Sequence, residues 1–413
     1  MYLLLGYGKS NKSIEKYLTK QKIKYLIYDD IKFNNNIDLK KVSLIIKSNG
    51  ISNDHKMIKE AKNKKIKIIS DLQYFYYETN INNYCLVTGS NGKTTIVSLL
   101  EKTLNNTISI GNNGLAFFDY INDNKYKVLE VSSFMLETIS FINYKYNIIT
   151  NIYPTHLEHH SNYINYIKSK LSFLKHLSTN NYVIYNKDDI LLNRIINNYD
   201  FHKVSVSLKD HSSTIYLKEN YIYYKTIKIL NIKKIKLIGK HNIYNIMLVL
   251  GLLLNHPLKK QNYKKEIYNY LGEKYRLQLI YNNKFKIIND SKSTNFKALK
   301  VALESFNENI ILIVGGMKRN DDYKLLNKEL YKIKVVYCYG ENKDDFYNYF
   351  INNKIECYKY DSLEEVIKNI KIINNHVLLF SPGSISHDQF KDFEERGEVF
   401  NRLIKENILL KLN

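Results

Sequence analysis

"VTGSNGKTT", residues 87–95, has the shape of a phosphate-binding loop with one glycine out of place. The usual loop runs Gly, four residues, then Gly-Lys-Ser/Thr. Here only Ser90 and Asn91 separate Gly89 from Gly92 and Lys93, and Val87 holds the position of the upstream glycine. The flanks keep the physical case intact. "YCLV", residues 84–87, is a short apolar run suited to a buried strand, and "TIVSLLEKTL", residues 95–104, has the apolar spacing of a helix. Strand, glycine turn and helix together aim backbone N–H groups and the positive end of the helix at an anion. Lys93 adds a charge for terminal phosphates, and the Thr94 hydroxyl is a suitable Mg²⁺ ligand. An ordinary polar turn is the competing account. Two threonines directly after Gly-Lys, between a strand and a helix, favour nucleotide binding over it.

Working outward, 413 residues suggest two or three domains, each able to bury its own core. No apolar run approaches the ~18 to 20 residues of a membrane span. The start, "MYLLLGYGKSNKS", reads as a first strand entering a glycine turn, not as a signal peptide. Cys85, Cys338 and Cys357 are scattered without a CxxC pair, which implies buried thiols in a reducing cytoplasm and no cysteine zinc site. The formal charge is +22, from 62 Lys+Arg against 40 Asp+Glu, and that raises the nucleic-acid class. The lysines, however, are spread along the whole chain. Lys, Asn, Ile and Tyr dominate, with no Trp and three Pro, and those abundant residues have A/T-rich codons. Composition therefore accounts for the charge without a nucleic-acid partner. The positive field still favours small polyanionic substrates.

Three α/β segments follow one another. The first shows strand "YLLL", turn "GYGKSN", a helix through "SIEKYLTK" and strand "KYLIYDD". Asp29 or Asp30 lies a little over twenty residues after Gly6, as in a dinucleotide fold, but Asn11 replaces the third glycine. The second carries the phosphate loop. The third shows strands "NIILIVGG", "KVVYCYGE" and "HVLLFSPG", then a helix from about Asp388. Alternating strands and helices imply parallel sheets. The expected architecture is α/β in three domains: a Rossmann-like domain over 1–78, a central P-loop-type ATPase domain with a mostly parallel sheet over 79–271, and a Rossmann-like domain over 272–413.

Five further stretches carry a resemblance. They are "GNNG" (111–114), "EVSSFMLE" (130–137), "NIYPTHLEHH" (151–160), "GKHNIYN" (239–245) and "NDSKSTN" (289–295). Their order and spacing resemble the Mur ligase family, ATP-dependent amino-acid ligases of peptidoglycan synthesis, over all three domains. "SSFMLE" and "SPGSISHDQFKDFEERG" are similar to the members that add D-glutamate to UDP-N-acetylmuramoyl-L-alanine. The short loop of residues 89–93 is the form that this family uses. Thr155, His159, Met135, Tyr275 and Asn49 depart from the family pattern. None of these departures removes a residue expected to hold Mg²⁺, or the loop lysine. A ligase for another amino acid, a folylpolyglutamate-type ligase and a nucleotide-regulated binding protein are the other readings.

The resemblance implies a division of labour. Gly89, Ser90, Asn91, Gly92, Lys93, Thr94 and Thr95 would hold the ATP phosphates, and Asn242 and Asn245 the adenine. Arg276 and Asp290 would also contact ATP. Two Mg²⁺ ions are implied, one on Thr94 and one on Glu130, His156 and Lys170, the last as its carbamate. Lys93, Glu130, His156 and Lys170 thus form the expected catalytic set. Lys9, Ser10, Ser48, Asn49 and Gly50 would bind the uridine diphosphate, with Asn112 and Ser132 on the muramoyl-alanine arm. Lys292, Thr294, Arg319, Ser386 and Phe393 would meet D-glutamate, with Lys318 an alternative to Arg319. A cytoplasmic monomer without a nucleic-acid partner or a membrane span is expected.

Overall fold

The computed structural model describes residues 1–33, 36–307, 309–318 and 322–411. Its contacts divide the chain into two units. One comprises Met1–Lys233 with His241–Ile267, and the other Lys234–Lys240 with Tyr268–Asn413.

The first unit holds two sheets. The smaller is fully parallel, with strands in the spatial order Tyr25–Tyr28, Tyr2–Leu5, Leu44–Lys47 and Lys67–Ser70. The larger has nine strands. From one edge they are Ile227–Asn231, Tyr221–Tyr224, Ile215–Lys218, His202–Ser207, Tyr182–Asn186, Tyr146–Ile149, Cys85–Thr88, Tyr126–Glu130 and Thr107–Gly111. Only the two pairings at the Ile227–Asn231 edge are antiparallel. Every residue of Cys85–Thr88, Tyr126–Glu130 and Tyr146–Ile149 is buried. These strands are covered on both faces, which is why they read as continuous apolar runs and do not alternate.

The second unit has six strands in the order Gln278–Asn282, Lys286–Asn289, Val377–Gly383, Ile310–Gly315, Ile333–Tyr339 and Glu356–Lys359. All its pairings are parallel except the first. One core cluster includes Leu299, Leu303, Leu312, Val336, Phe346 and Phe350, and a second includes Phe285, Ile313, Tyr339, Phe380, Phe400 and Ile404.

Parallel strands all end at the same side of a sheet, so the turns that follow neighbouring strands are brought together there. Leu5 and Lys47 end adjacent strands, as do Thr88, Glu130 and Ile149, and as do Asn289, Gly315 and Gly383. Nearly every candidate residue outside the helices sits one to a few positions past such an end. One helix limit differs from expectation. The helix placed from about Asp388 begins at Phe393, because the Asp392 side chain caps it by accepting from Glu395 N at 2.8 Å. The helix carrying Lys170 spans Tyr163–Lys170, and Lys175 falls in a separate 3₁₀ turn, Ser172–His176.

Candidate active site

The phosphate loop leaves strand Cys85–Thr88 and enters helix Lys93–Thr103. Gly89 and Gly92 both have left-handed backbones, with φ of 139° and 88°. A Cβ at Gly89 would strike Thr150 Oγ1, and one at Gly92 would strike Asn245 Oδ1. The two glycines of the short loop are therefore required by backbone conformation and by space. The loop is stitched to the segment after Ile149. Ser90 N donates to Asn151 O at 2.9 Å, Asn91 N to Asn151 Oδ1 at 3.0 Å, and Thr150 Oγ1 to Asn91 O at 2.6 Å. No side chain among the described residues caps the helix at Gly92, so its first-turn amides face outward as an anion site. Lys93 folds back over the loop, its Nζ donating to Gly89 O at 2.8 Å and Ser90 O at 3.1 Å.

Beside the loop lies a cavity of about 180 Å³, lined by Gly89, Ser90, Lys93, Asn112, Ser132, Ser133, Phe134, Thr155, His156, Tyr166 and Lys170. Seven of the expected site residues thus converge on one space. Glu130 ends its strand just behind it. Its Oε1 accepts from Asn112 Nδ2 at 3.0 Å, while its buried Oε2 finds no hydrogen-bond partner among the described residues. Lys170 is 2 % exposed and donates to Gly89 O at 3.0 Å. Burial, reinforced by the nearby Lys93 charge, holds its amine well below the usual lysine range. His156 begins the short helix Leu157–His160 in a left-handed conformation, and burial lowers its imidazole below the ordinary histidine value.

Four lining residues, Ser133, Phe134, Thr155 and Tyr166, have no site role in the sequence reading. Ser133 and Phe134 lie within the quoted "SSFMLE" but received no role. Tyr166 is fully buried, and its hydroxyl is 2.6 Å from Ser90 Oγ. Tyr166 and Lys170 are four apart on one helix face, and that spacing was the available signal. Ser132 lines the cavity and also caps helix Ser133–Leu136 through Met135 N at 3.4 Å.

Asn242 and Asn245 lie near the start of helix Lys240–Leu253, both buried, with Asn245 Nδ2 donating to Asn242 Oδ1 at 2.8 Å. Asn245 packs directly against Gly92. At the first sheet, the turn after Leu5 lies against the turn after Lys47, with Gly8 facing Ser48. Lys9 Nζ donates to Gly114 O, the Ser10 hydroxyl bonds Asp71, and the buried Asn49 Oδ1 has no hydrogen-bond partner among the described residues. The dinucleotide signal has a structural explanation. Asn11, in place of glycine, is fully buried and its Nδ2 reaches Leu5 O, Gly6 O and Ile46 O at 3.2, 2.7 and 3.3 Å. Asp29 is engaged by Tyr7 N, Ile31 N and Lys32 N.

In the second unit, Asp290 is buried, accepting from Leu277 N at 3.0 Å and Ser381 Oγ at 2.8 Å. Desolvation pushes its carboxyl up to about 7. Arg276 is exposed nearby and contributes a smaller opposing effect. Lys292 is exposed, with its ammonium 5.4 Å from the Phe393 ring centroid. Thr294 is half-buried and Ser386 buried. Arg319 lies outside the described residues. Lys318 Nζ is 3.0 Å from Asp345 Oδ2.

Residues 87–253 match the Mur ligase middle domain, and residues 275–383 match the Mur ligase, glutamate ligase domain. A UDP-N-acetylmuramoylalanine--D-glutamate ligase of Buchnera aphidicola is 34 % identical, over 89 % of this chain and 84 % of that one. The protein of the same name from Oenococcus oeni is 30 % identical over 98 % and 96 %. Among solved structures, the UDP-N-acetylmuramate-alanine ligase MurC of Thermotoga maritima superposes with a TM-score of 0.61 at 17 % identity, covering 98 % of this chain and 99 % of that one. MurF of Thermotoga maritima in complex with ADP gives 0.56 at 17 %, covering 98 % and 95 %. These two likenesses concern the fold, which is the three-domain α/β fold. The chain belongs to the Mur ligase family. It is an ATP-dependent ligase that forms an amide bond in peptidoglycan synthesis. No helix among the described residues is long and apolar enough to cross a membrane.

Proposed function

We propose that this enzyme joins D-glutamate to UDP-N-acetylmuramoyl-L-alanine in the cytoplasm, releasing ADP and phosphate. The observation that carries the reading is the cavity where Lys93, Asn112, Ser132, His156 and Lys170 meet the phosphate loop. The names of the relatives supply the amino acid.

A carboxylate is a poor acceptor for an amine, so it must first be activated. Transfer of the ATP γ-phosphoryl group to the alanyl carboxylate gives an acyl phosphate. The free amine of D-glutamate then adds to its carbonyl carbon. The tetrahedral adduct loses a proton from nitrogen and expels phosphate. Lys93 would exchange its two loop carbonyls for phosphate oxygens, and the amides at the start of its helix would offer further donors. Asn242 and Asn245 are assigned to adenine, and Arg276 and Asp290 to ATP. Lys9, Ser10, Ser48, Asn49 and Gly50 are assigned to the uridine diphosphate, and Asn112 and Ser132 to the muramoyl-alanine arm. Lys292, Thr294, Arg319, Ser386 and Phe393 are assigned to D-glutamate. The domains are taken as 1–78, 79–271 and 272–413, in a monomer.

The donor set fits Mg²⁺. The orphaned Glu130 Oε2 is a buried oxygen suited to a hard cation. Thr94 would serve one ion, and Glu130, His156 and Lys170 a second. Bound Mg²⁺ would supply charge neutralisation for the transferring phosphoryl group. An ammonium repels such an ion, but burial favours the neutral amine of Lys170. That amine can add CO₂ and lose a proton, giving a carbamate with two oxygen donors.

The test is phosphate release from ATP with UDP-N-acetylmuramoyl-L-alanine and a panel of amino acids. Turnover should need both the nucleotide substrate and D-glutamate. Equal turnover with L-glutamate or L-lysine would reject this reading in favour of another ligase of the family.

A further inference from the structure

Glu137, His159 and His160 form a cluster that no role above employs. Glu137 follows the short helix Ser133–Leu136, and the two histidines end the short helix Leu157–His160. His159 Nε2 lies 3.1 Å from Glu137 Oε2, and His160 Nδ1 lies 3.7 Å from Glu137 Oε1. One ligand atom from each residue falls within 4.8 Å of the other two. The His160 side chain is fully buried, and its Nδ1 has no hydrogen-bond partner among the described residues. Its other ring nitrogen, Nε2, is 3.0 Å from Ser133 Oγ.

These separations have a meaning. An ion holding nitrogen and oxygen ligands at about 2.0–2.1 Å in a tetrahedron sets neighbouring ligand atoms about 3.3–3.4 Å apart. The two observed separations run to different oxygens of Glu137 and put its carboxylate within reach of both imidazoles, so a small closure of the cluster would complete the set. The Ser133 contact gives His160 the outer hydrogen bond that fixes the ring of a metal-bound histidine. The ion pair with Glu137 leaves the buried Nδ1 of His160 3.7 Å from the nearer carboxylate oxygen, beyond hydrogen-bond distance. Two imidazoles with one carboxylate select borderline ions such as Zn²⁺ or Co²⁺ over Mg²⁺, which prefers a set made mostly of oxygens. One feature opposes binding. Lys47 is 2 % exposed and brings its ammonium 3.9 Å from Glu137 Oε2.

We propose that Glu137, His159 and His160 bind one borderline divalent cation of the Zn²⁺/Co²⁺ class. This site is separate from the residues assigned to Mg²⁺. The bound ion ties helix Leu157–His160 to helix Ser133–Leu136. It thereby braces Phe134, whose ring lies 5.1, 4.4 and 5.5 Å from the rings of His156, His159 and His160. The site does not depend on which amino acid the enzyme ligates.

The experiment is a Co²⁺ titration of the full chain, stripped with EDTA and held in excess Mg²⁺ to occupy oxygen-rich sites. Tetrahedral Co²⁺ absorbs visibly, so binding is read without an activity assay. One equivalent should produce the band, and it should be lost in both His159→Ala and His160→Ala. It should persist in His156→Ala, which spares the cluster. Lys47→Met removes the competing ammonium and should tighten binding about tenfold. Thermal melts in EDTA check that each variant folds, and His159→Ala, the more exposed position, keeps the test valid if His160→Ala does not. No band in the wild type overturns the proposal. So does a band that survives His159→Ala, or one that disappears in His156→Ala.

Discussion

Around the phosphate loop, buried polar groups such as Glu130 and Lys170 carry few hydrogen bonds among the described residues. At the strand ends of the second unit they are mostly spent on one another. Lys170 has Gly89 O as its hydrogen-bond acceptor, and Glu130 Oε2 has none among the described residues. In the second unit, the fully buried Arg396 donates to Ser291 Oγ, Ser384 O and Ser291 O at 3.0, 2.9 and 2.7 Å. Asn289 Nδ2 likewise reaches Gly397 O at 2.9 Å and Asn401 Oδ1 at 2.8 Å. An uncompensated buried charge costs several kcal/mol, whereas a fully bonded one is scaffold. The first region is therefore built for something it must bind, and the second mainly to hold its own turns. The exceptions in the second are informative. Ser293 Oγ, Asn342 Oδ1 and Asp388 Oδ1 are among the buried atoms there without hydrogen-bond partners among the described residues; Ser293 follows Lys292, and Asp388 lies two residues after Ser386.

The comparison breaks first at Lys93. Lys93→Ala should lower turnover roughly 100-fold to 1,000-fold, the usual loss for one preorganised donor to a developing charge. Its melting temperature should stay near wild type, because the half-buried ammonium donates to two carbonyls of its own loop, Gly89 O and Ser90 O, which water can satisfy in the variant. Near-normal turnover would remove the phosphate-loop assignment.

Lys170 sharpens the contrast because activity and stability should move in opposite directions. Lys170→Ala should lose most ligase activity, and acetate should restore part of it by supplying a carboxylate in the vacated space. Lys168→Ala, on the same helix, should behave as wild type. Lys170→Met should melt higher than wild type, since a buried amine with little compensation is replaced by an apolar chain of similar length. Full activity in Lys170→Ala without added acid would end the carbamate assignment.

How much of this was legible depends on the range of the interaction. The strand, glycine turn and helix around residues 84–104 are local, and they appear as the apolar pattern and turn chemistry require. The convergence of "GNNG", "EVSSFMLE" and "NIYPTHLEHH" followed from resemblance, and parallel strand ends supply its physical reason. Contacts between distant residues were hidden. Nothing local announces that Thr150 crowds Gly89, that Ser90 meets Tyr166, or that Asn112 holds Glu130. Asn11 was read as a defect in a glycine fingerprint. Its side chain in fact joins two strand ends, a job only a buried amide can do there.

A smaller effect is expected at Lys292, the exposed cation of the second unit. Lys292→Ala should raise the KM for D-glutamate roughly tenfold, the worth of one hydrogen bond to a charged group, and leave the KM for UDP-N-acetylmuramoyl-L-alanine unchanged. An unchanged KM for D-glutamate would move the glutamate site away from this residue.

The prediction that tests the satisfied side of the comparison is a pH slope at Asp290, read in stability and not in turnover. Burial raises its carboxyl from 3.8 to about 7 despite the hydrogen bonds from Ser381 and Leu277. Between those values the folded protein keeps a proton that the unfolded chain has released. The group therefore stabilises the fold fully below its unfolded value, and that contribution is lost as pH rises through about 7. One proton gives a slope of at most about 1.4 kcal/mol per pH unit. Asp290→Asn cannot titrate, yet its amide can still accept from Leu277 N and donate to Ser381 Oγ. In urea melts from pH ~4 to ~8, the variant should gain on wild type steadily as pH rises and then level off. A gap that does not change with pH would mean that Asp290 is ionised throughout, with its two hydrogen bonds and the nearby Arg276 and Arg396 outweighing desolvation. The second unit would then hold a paid-up charge at its strand ends, as the first does not.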